Sequence, residues 1–323
     1  MQFRTEIEPI HSDLKINLKT TMLTIGSCFS DVMGQRLADN KLNCLVNPFG
    51  TIFNPISIFK LLSGSKIDEN HFTENQGAWF HHDYHSRFWA NSQDELLTNL
   101  QQIHQKVKET LENVDMLVIT FGTALVFQLN KDNQIISNCH KVPNSQFERR
   151  MLSQKEIIDS FHAFYKNLKL INPEIKILLT VSPVRHTKDT LSLNSASKSI
   201  LRAVCYQLET AFENVSYFPS YEIMLDDLRD YRFYKSDMIH PNEVAEDYIF
   251  EKFGEAYFDE KLVKFIANWK KIKAGLAHRP LQNGTIAHQK FLQNLLFQLE
   301  NLSNDVNVSL EIEELKYKLS AEF

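Results

Sequence analysis

The sequence has none of the features expected of a membrane-spanning or exported protein. It contains no run of about 18 consecutive apolar residues, so we expect no transmembrane helix. Residues 1–19 have neither an apolar central segment nor a small-residue cleavage site, so we do not expect a signal peptide. These absences predict a cytoplasmic protein.

Cysteine is scarce, with four residues in a chain of 323, and no two of them form a C-x-x-C pair. Widely spaced cysteines in a cytoplasmic protein are expected to be reduced thiols, which argues against a disulfide framework. The four are Cys28, Cys44, Cys139 and Cys205.

Neither sign of charge dominates the chain. Lysine and arginine number 35 against 40 aspartates and glutamates, which gives a formal net charge of -5. This balance indicates neither a nucleic-acid partner nor an anionic membrane partner. The hydrophobic fraction of 43% is ordinary for a globular protein and is enough to form a sizeable core.

What the sequence does contain is a series of short apolar runs, each followed by turn-forming residues. Runs of this length without alternation are typical of strands buried on both faces of a parallel sheet. The predicted strands cover residues 22–25, 42–46, 114–121, 175–181 and 215–218.

Segments with helical spacing of apolar residues separate these runs. One of them begins with Ser153 and has Glu156 three residues later, as in a capping box. Such alternation predicts a three-layer α/β/α fold with a central parallel sheet, of the flavodoxin-like kind. The predicted helices cover residues 30–40, 95–114, 153–171 and 195–213.

The strand pattern stops at about residue 255, and the remaining sequence is helical and charged. We therefore predict a main domain over residues 1–255 and a C-terminal helical extension over residues 256–323. The extension is expected to pack on the main domain or on a partner, and its helices are a candidate contact for a homo-oligomer.

A first candidate for chemistry is the segment TIGSCFSD, residues 24–31, where a strand is predicted to end at Ile25 and a helix to begin near Ser30. Ligands of open α/β sheets bind beyond the carboxyl ends of the strands. At this position Ser27 would expose its Oγ near a helix N-terminus, whose N–H groups can stabilise an oxyanion. The alternative is that Ser27 or Ser30 only caps the helix.

A second candidate is the pair Asp237 and His240, three residues apart and followed by Pro241. A carboxylate at this spacing can orient the imidazole and stabilise the imidazolium that forms when His240 takes a proton from a serine. The alternative is a surface aspartate and a histidine that flanks a helix.

Two further loops follow predicted strands and are expected to reach the same edge of the sheet. In residues 46–55, Gly50 can offer a backbone N–H and Asn54 a side-chain amide to an oxyanion. Gly122 and Thr123 follow the third predicted strand and are expected to line the same crevice. Strings of Asn, Pro and Gly are also ordinary turn sequences.

The string GSCFS at residues 26–30 resembles the signature of the GSCFA family, with Ser30 in place of the final alanine. That family resembles a branch of the SGNH (GDSL-like) hydrolases. Two more strings, at residues 138–150 and 182–189, are similar to the family, and the resemblance extends over most of residues 1–255.

The resemblance implies an SGNH-type α/β hydrolase fold and assigns roles to individual residues. Ser27 would be the nucleophile, Gly50 an oxyanion donor, and Asp237 with His240 the other members of a catalytic triad. The family pattern does not imply a particular substrate.

The sequence departs from the SGNH pattern in two places. The usual Gly-Asp-Ser is Gly-Ser-Cys here, so Ser27 is the nucleophile by its position after the glycine, or else Cys28 is. The third conserved block lacks its asparagine donor and reads GTA at residues 122–124. The hydroxyl of Thr123, the amide of Asn54 or a histidine can take the place of that donor.

Several other residues are candidates for the substrate pocket. His82 and His140 are expected to line it, and Arg185 and His186 follow the fourth strand at the same edge of the sheet. The planar guanidinium of Arg185 can bind a carboxylate or phosphate. A less favoured alternative is a metal site in which His81 and His85, four residues apart, share one helix face.

Together these observations predict a serine hydrolase that forms an acyl-enzyme on Ser27, without a cofactor or metal. The expected substrate is an acylated carbohydrate or another small ester, with no nucleic acid or membrane as partner. Alternatives are an acyltransferase to a sugar hydroxyl, a non-catalytic binding protein on the hydrolase fold, and a metal-dependent phosphoesterase.

Overall fold

The computed structural model describes residues 4–8, 14–278 and 285–321. Ten strands occur within them, and most are short. In chain order they are β1 (Thr21–Gly26), β2 (Asn43–Val46), β3 (Phe72–Asn75), β4 (Ala78–His81), β5 (Met116–Phe121), β6 (Leu125–Leu129), β7 (Ile135–Ile136), β8 (Phe147–Met151), β9 (Lys176–Val181) and β10 (Val215–Phe218).

The helices separate the strands and then continue alone to the C-terminus. None within the described ranges is both long and apolar enough to cross a membrane. They are α1 (Cys28–Asp39), α2 (Pro55–Leu62), α3 (Gln93–Asn113), α4 (Gln154–Ile171), α5 (Leu191–Ala211), α6 (Ser220–Glu222), α7 (Glu243–Tyr257), α8 (Glu260–Ala277), α9 (Ile286–Leu302) and α10 (Ser309–Ala321).

The central sheet has five parallel strands in the spatial order β10-β9-β5-β1-β2. These are the five strands that the sequence predicts, so the predicted parallel sheet is confirmed. The order is that of flavodoxin-like sheets, in which chain direction across the sheet reverses between the first and third strands. Here that point lies between β1 and β5, where a crevice for ligands is expected.

Helices cover both faces of the sheet, which confirms the three-layer architecture. Alternate strand residues point to opposite faces, so Leu23 and Ile25 pack with α2 to α5, whereas Met22 and Val118 pack with α1 and α7 to α9. Because both faces are covered, the strands are mostly apolar, and this is why their sequence pattern does not alternate.

Two small antiparallel sheets lie outside the central sheet, and the sequence does not predict them. One is the hairpin β3–β4, and the other has the order β7-β6-β8. Some of their strands are rich in polar and charged residues, as in FERRM of β8, and the apolar runs of β4 and β6 are only three residues long.

The C-terminal helices pack on the main domain. Trp269 of α8 is buried and donates a hydrogen bond from its indole N–H to the carbonyl oxygen of Asp39, at 2.7 Å, at the end of α1. Lys41 lies over the Trp269 ring and forms an ion pair with Glu311 of α10. Apolar residues of α9, among them Leu295, share the core that includes Phe29.

Candidate active site

Ser27 joins β1 to α1 at the carboxyl edge of the sheet. Its backbone N–H donates to the carbonyl oxygen of Thr120 in the neighbouring strand β5, at 3.1 Å. Its Oγ caps α1 by accepting a hydrogen bond from the N–H of Phe29, at 3.3 Å. Ser27 has 0% exposed surface, so the prediction of an exposed Oγ is wrong for this conformation.

Gly26 makes this turn possible because no other residue fits there. Its φ is +142°, and a Cβ would lie 2.1 Å from the carbonyl oxygen of Thr120. The absence of a side chain therefore lets the end of β1 lie directly against β5.

Asn47, which sequence analysis treated as part of an ordinary turn, holds the same turn from the other side. Its buried Oδ1 accepts from the N–H of Gly26 at 2.8 Å, and its Nδ2 donates to the Ser27 carbonyl at 3.5 Å. The backbone of Asn47 is left-handed, with φ of 39°. Neighbouring strands thus fix the Ser27 backbone from both sides.

Asp237 and His240 form a hydrogen-bonded pair in the loop before α7. The Oδ2 of Asp237 lies 2.7 Å from Nδ1 of His240, and its Oδ1 accepts from the N–H groups of Ile239 and His240. The backbone N–H of His240, its ring and the Ile239 N–H hold the pKa of Asp237 at about 2. The carboxylate is therefore charged at neutral pH and can orient the imidazole.

The loop after β9 lies against this pair. The N–H of Arg185 donates to the carbonyl oxygen of Ile239 at 3.1 Å, which ties the two loops together. Burial, and then the charges of Lys198, Arg149 and His240, lower the pKa of His186 to about 3. His186 is therefore neutral, and its buried Nε2 has no hydrogen-bond partner among the described residues.

Gly50 and Asn54 lie in the loop after β2, but their polar groups are engaged. The N–H of Gly50 donates to the Asn47 carbonyl at 2.8 Å, within the turn. Asn54 caps α2 by accepting from the N–H of Ser57, and its Nδ2 donates to the Ser57 hydroxyl at 3.0 Å. A role in binding an oxyanion would require these bonds to be exchanged.

Gly122 and Thr123 follow β5, and both of their N–H groups donate to the carbonyl oxygen of Phe53, at 2.8 and 3.0 Å. The hydroxyl of Thr123 lies 3.0 Å from that of Ser197 on α5. Both residues are at the expected edge of the sheet, but their N–H groups bond to the loop that contains Phe53 and are not free to bind a ligand.

His82 and His140 lie beside the small sheets and bind loop carbonyls. Nδ1 of His82 lies 2.8 Å from the Asn138 carbonyl oxygen, and Nε2 of His140 lies 2.9 Å from that of His81. Burial lowers the pKa of both rings, in His140 to about 4. The hydrogen bonds of these two histidines thus connect loops to one another. That His82 and His140 line the substrate pocket stays a prediction.

Lys198 of α5 is a site residue that sequence analysis missed. Its side chain is buried, and its Nζ donates to the carbonyl oxygens of Gly122 and Ser182, both at 2.7 Å. These carbonyls follow β5 and β9, so the ammonium lies at the carboxyl edge of the sheet. Burial lowers the pKa of Lys198 to about 7. The sequence does indicate that Lys198 is buried, because helical spacing places it on the same apolar stripe as Leu201 and Cys205.

Cys28, the alternative nucleophile, is half-buried against the core. Burial, and then the charge of Asp31, raise the pKa of its thiol. Because the thiolate is the nucleophilic form, this environment makes Cys28 less reactive than an ordinary cysteine.

The histidine pair of the metal alternative does not share a helix face, because His81 ends β4 and His85 lies in a loop. A different group, Asp68, His71 and Asp132, has one ligand atom of each residue within 4.8 Å of the others. Burial acts to lower the pKa of His71, but hydrogen bonds with Asp83 and Asp132 raise it overall. The hydrogen bond of 2.9 Å between Nε2 of His71 and Oδ2 of Asp132 accounts for the closeness of these two side chains.

Searches for similar proteins found solved structures with low identity. A carbohydrate esterase family 3 protein from Talaromyces cellulolyticus is 12% identical, with a TM-score of 0.36, over 78% of this chain and 99% of that one. An acetyl xylan esterase from Butyrivibrio proteoclasticus is 12% identical, with a TM-score of 0.37, over 82% of this chain and 66% of that one. No curated protein matches the sequence.

Two family descriptions match the sequence itself. The C-terminal domain of GSCFA domain proteins matches residues 269–321, which include α9 and α10. The GSCFA family matches residues 21–253, from β1 into α7. The resemblance carried by residues 26–30 is thereby confirmed, and the chain belongs to the GSCFA family.

Proposed function

We propose that this protein is a serine esterase or deacylase that acts on an acylated carbohydrate or another small ester. The observation that supports this most is the Asp237–His240 hydrogen bond of 2.7 Å. The pair contacts the loop after β9, at the same edge of the sheet where Ser27 begins α1. A candidate nucleophile, base and orienting carboxylate are thus all connected to this edge of the sheet.

In the proposed reaction, the Oγ of Ser27 attacks the ester carbonyl carbon while Nε2 of His240 takes the hydroxyl proton. Asp237 accepts the Nδ1–H of His240 and stabilises the imidazolium. His240 then gives the proton to the departing alcohol oxygen, which leaves an acyl group on Ser27. Water, deprotonated by His240, releases the acid and restores the serine.

The N-terminus of α1 supports the oxyanion in this scheme. The N–H of Phe29 bonds to Ser27 Oγ, so it lies beside the reacting atom and can bind the oxyanion once this bond is released. Unpaired N–H groups in the first turn of a helix carry partial positive charge, which favours a developing negative charge. Gly50 and Thr123 can add donors only after releasing the carbonyls of Asn47 and Phe53.

One observation favours a second candidate, a binding protein on the hydrolase fold. In the described part of the chain, Ser27 Oγ is buried and hydrogen-bonds to Phe29 and not to His240. Catalysis therefore requires a local change that exposes the Ser27 hydroxyl to substrate and to His240. Acyl transfer to a sugar hydroxyl would use the same acyl-enzyme, with the sugar in place of water.

The test is hydrolysis of 4-nitrophenyl acetate by the wild type and by Ser27→Ala, both in the presence of EDTA. We expect turnover in the wild type and a loss of about 10⁴-fold or more in the variant, since the nucleophile is gone. Ser30→Ala is the matched control, because it removes a buried hydroxyl one helical turn away and should keep most activity.

Equal turnover in Ser27→Ala would disprove the proposed nucleophile. Absence of turnover in the wild type, together with no labelling of Ser27 by a fluorophosphonate, would favour the binding protein. With active enzyme, adding a sugar acceptor and measuring acylated sugar against free acetate separates transfer from hydrolysis.

A further inference from the structure

Two cationic side chains at the carboxyl edge of the sheet have no carboxylate partner among the described residues. They are Arg185, in the loop after β9, and Lys198 of α5, whose Nζ donates to the carbonyl oxygen of Ser182 at the start of that loop. Three other arginines, Arg36, Arg149 and Arg202, each form an ion pair with an acidic side chain, whereas Arg87 donates to a backbone carbonyl.

The guanidinium of Arg185 is held in place but has little hydrogen bonding. It lies 3.9 Å from the ring centre of Tyr234 and 5.2 Å from that of Tyr231. Its one hydrogen bond within the described chain, from Nη1 to the Met238 carbonyl oxygen, is long at 3.4 Å. A guanidinium has five N–H donors in a fixed plane, so its fork remains open to a ligand.

The position of this fork relative to the proposed base follows from the backbone. The N–H of Arg185 bonds to the carbonyl of Ile239, and its guanidinium bonds to Met238, so both ends lie against the residues that immediately precede His240. A group bound by Arg185 would therefore lie next to the scissile bond of a substrate that reaches His240.

Lys198 is a second cationic group at the carboxyl edge of the sheet, and its side chain is buried. Its ammonium is bonded to two carbonyl oxygens, and an ammonium without a carboxylate partner is costly to bury. The chain as a whole is acidic, with a net charge of -5, so a general excess of basic residues does not explain an arginine without an acidic partner.

We propose that the substrate carries an anionic group, a carboxylate or a phosphate, close to its ester bond, and that Arg185 binds this group. The proposal rests on the proposed esterase function and adds a substrate class to it. Planar guanidinium groups bind both kinds of anion through paired N–H donors. In a partly buried site such a pair is stronger than in water.

The test compares two pairs of esters, each corrected for its rate of hydroxide hydrolysis. The first pair is mono-4-nitrophenyl glutarate, which carries a carboxylate in its acyl part, and the neutral 4-nitrophenyl valerate. Acetylated 4-hydroxybenzoate against its methyl ester places the charge in the alcohol part. We expect kcat/KM to be at least about tenfold higher for the anionic member of one pair.

In Arg185→Gln this preference should be lost, and Arg185→Lys, which keeps the charge but not the fork, should keep only part of it. Lys264→Gln, which removes one positive charge from the exposed face of α8, is the matched control and should keep the preference. Circular dichroism and Tm of each variant show whether it is folded.

Equal kcat/KM within both pairs, or a preference that persists in Arg185→Gln, would overturn the anion site while leaving the esterase function standing. If the wild type hydrolyses none of the esters, the esterase function fails, and calorimetric titration with glutarate and with inorganic phosphate decides the anion site. Binding that Arg185→Gln abolishes supports the site, and absence of binding in the wild type overturns it.

Discussion

The two ends of the proposed site are built in different ways. At the nucleophile end, Ser27 is buried and its turn is bonded to β5 and to Asn47. At the base end, the side chains of Asp237 and His240 are 44% and 40% exposed, and their shared hydrogen bonds lie within one short loop. The nucleophile end depends on the sheet, whereas the base end is largely independent of it.

Because of this difference, we expect substitutions at the two ends to affect stability and activity differently. Changes at Gly26 and Asn47, which hold the turn at the nucleophile end, should damage folding, because this turn connects neighbouring strands. Changes at the base end should reduce turnover and leave folding nearly intact, because exposed side chains contribute little to stability. Four substitutions test the contrast, and they are ordered by the size of the expected effect.

His240→Gln should lower kcat/KM for 4-nitrophenyl acetate by about 10³- to 10⁴-fold, since no base remains for the Ser27 proton. Its Tm should stay within a few degrees of the wild type, because the side chain is half exposed. Parallel measurement of rates and thermal unfolding checks both statements. A Tm loss as large as that of a core substitution would contradict the independence of the base end.

Gly26→Ala should destabilise the protein by about 3 kcal/mol or more, because the new methyl would meet the Thr120 carbonyl and the backbone is strained. Urea unfolding measures the change. Gly77→Ala is the matched control: it also has a left-handed φ, of +82°, but no atom lies within 4 Å of its Cβ position. Similar losses in the two variants would show that backbone strain alone, and not contact with β5, is responsible.

Asp237→Asn should lower kcat by about 10- to 100-fold, less than in a buried triad, because solvent screens this pair. Since the folded-state pKa of Asp237 is held at about 2, the carboxylate orients His240 at all pH values above about 3. The acid limb of a pH–rate profile should therefore not contain the titration of Asp237. A larger kcat loss than in His240→Gln would be inconsistent with an orienting role.

The smallest expected effect concerns Lys198, whose titration should make the preference for anionic esters depend on pH. Its pKa is lowered to about 7, so its positive charge is present below that pH and lost above it. The groups that face it are the Cys28 thiol, the His186 ring and the Tyr221 ring, of which the first and last have raised pKa values and His186 a lowered one.

We expect the ratio of kcat/KM for the anionic over the neutral ester to fall about threefold between pH 6 and pH 8. Taking the ratio cancels any titration that affects both esters equally. In Lys198→Met the ratio should be lower and independent of pH. An unchanged pH profile in that variant would assign the effect to another group.

The sequence predicts the central sheet well because its strands are buried on both faces and therefore read as uninterrupted apolar runs. It does not predict β8, because FERRM carries three charged residues within one short strand. Charged residues at this density are typical of a loop. These residues form a strand because they pair with β6, a segment about twenty residues earlier in the chain.

The same distinction applies to the site. Ser27, Asp237 and His240 lie in short local motifs, so sequence patterns can identify them, although their roles remain predictions. The contacts of Asn47 and Lys198 depend on which strands become neighbours, and that information is not local. A lysine in an amphipathic helix is ordinarily a solvent-facing residue, so only its position on the apolar stripe of α5 distinguishes it.

The contact between Trp269 and the end of α1 has a consequence for how the chain can be shortened. Helix α1 has 12 residues, a rod about 18 Å long, with Ser27 at one end and Asp39, bonded to Trp269, at the other. Removing residues 256–323 would uncover the apolar face on which α8 and α9 rest. Residues 1–255 produced alone would then be prone to aggregation, and α1 would be held at one end only.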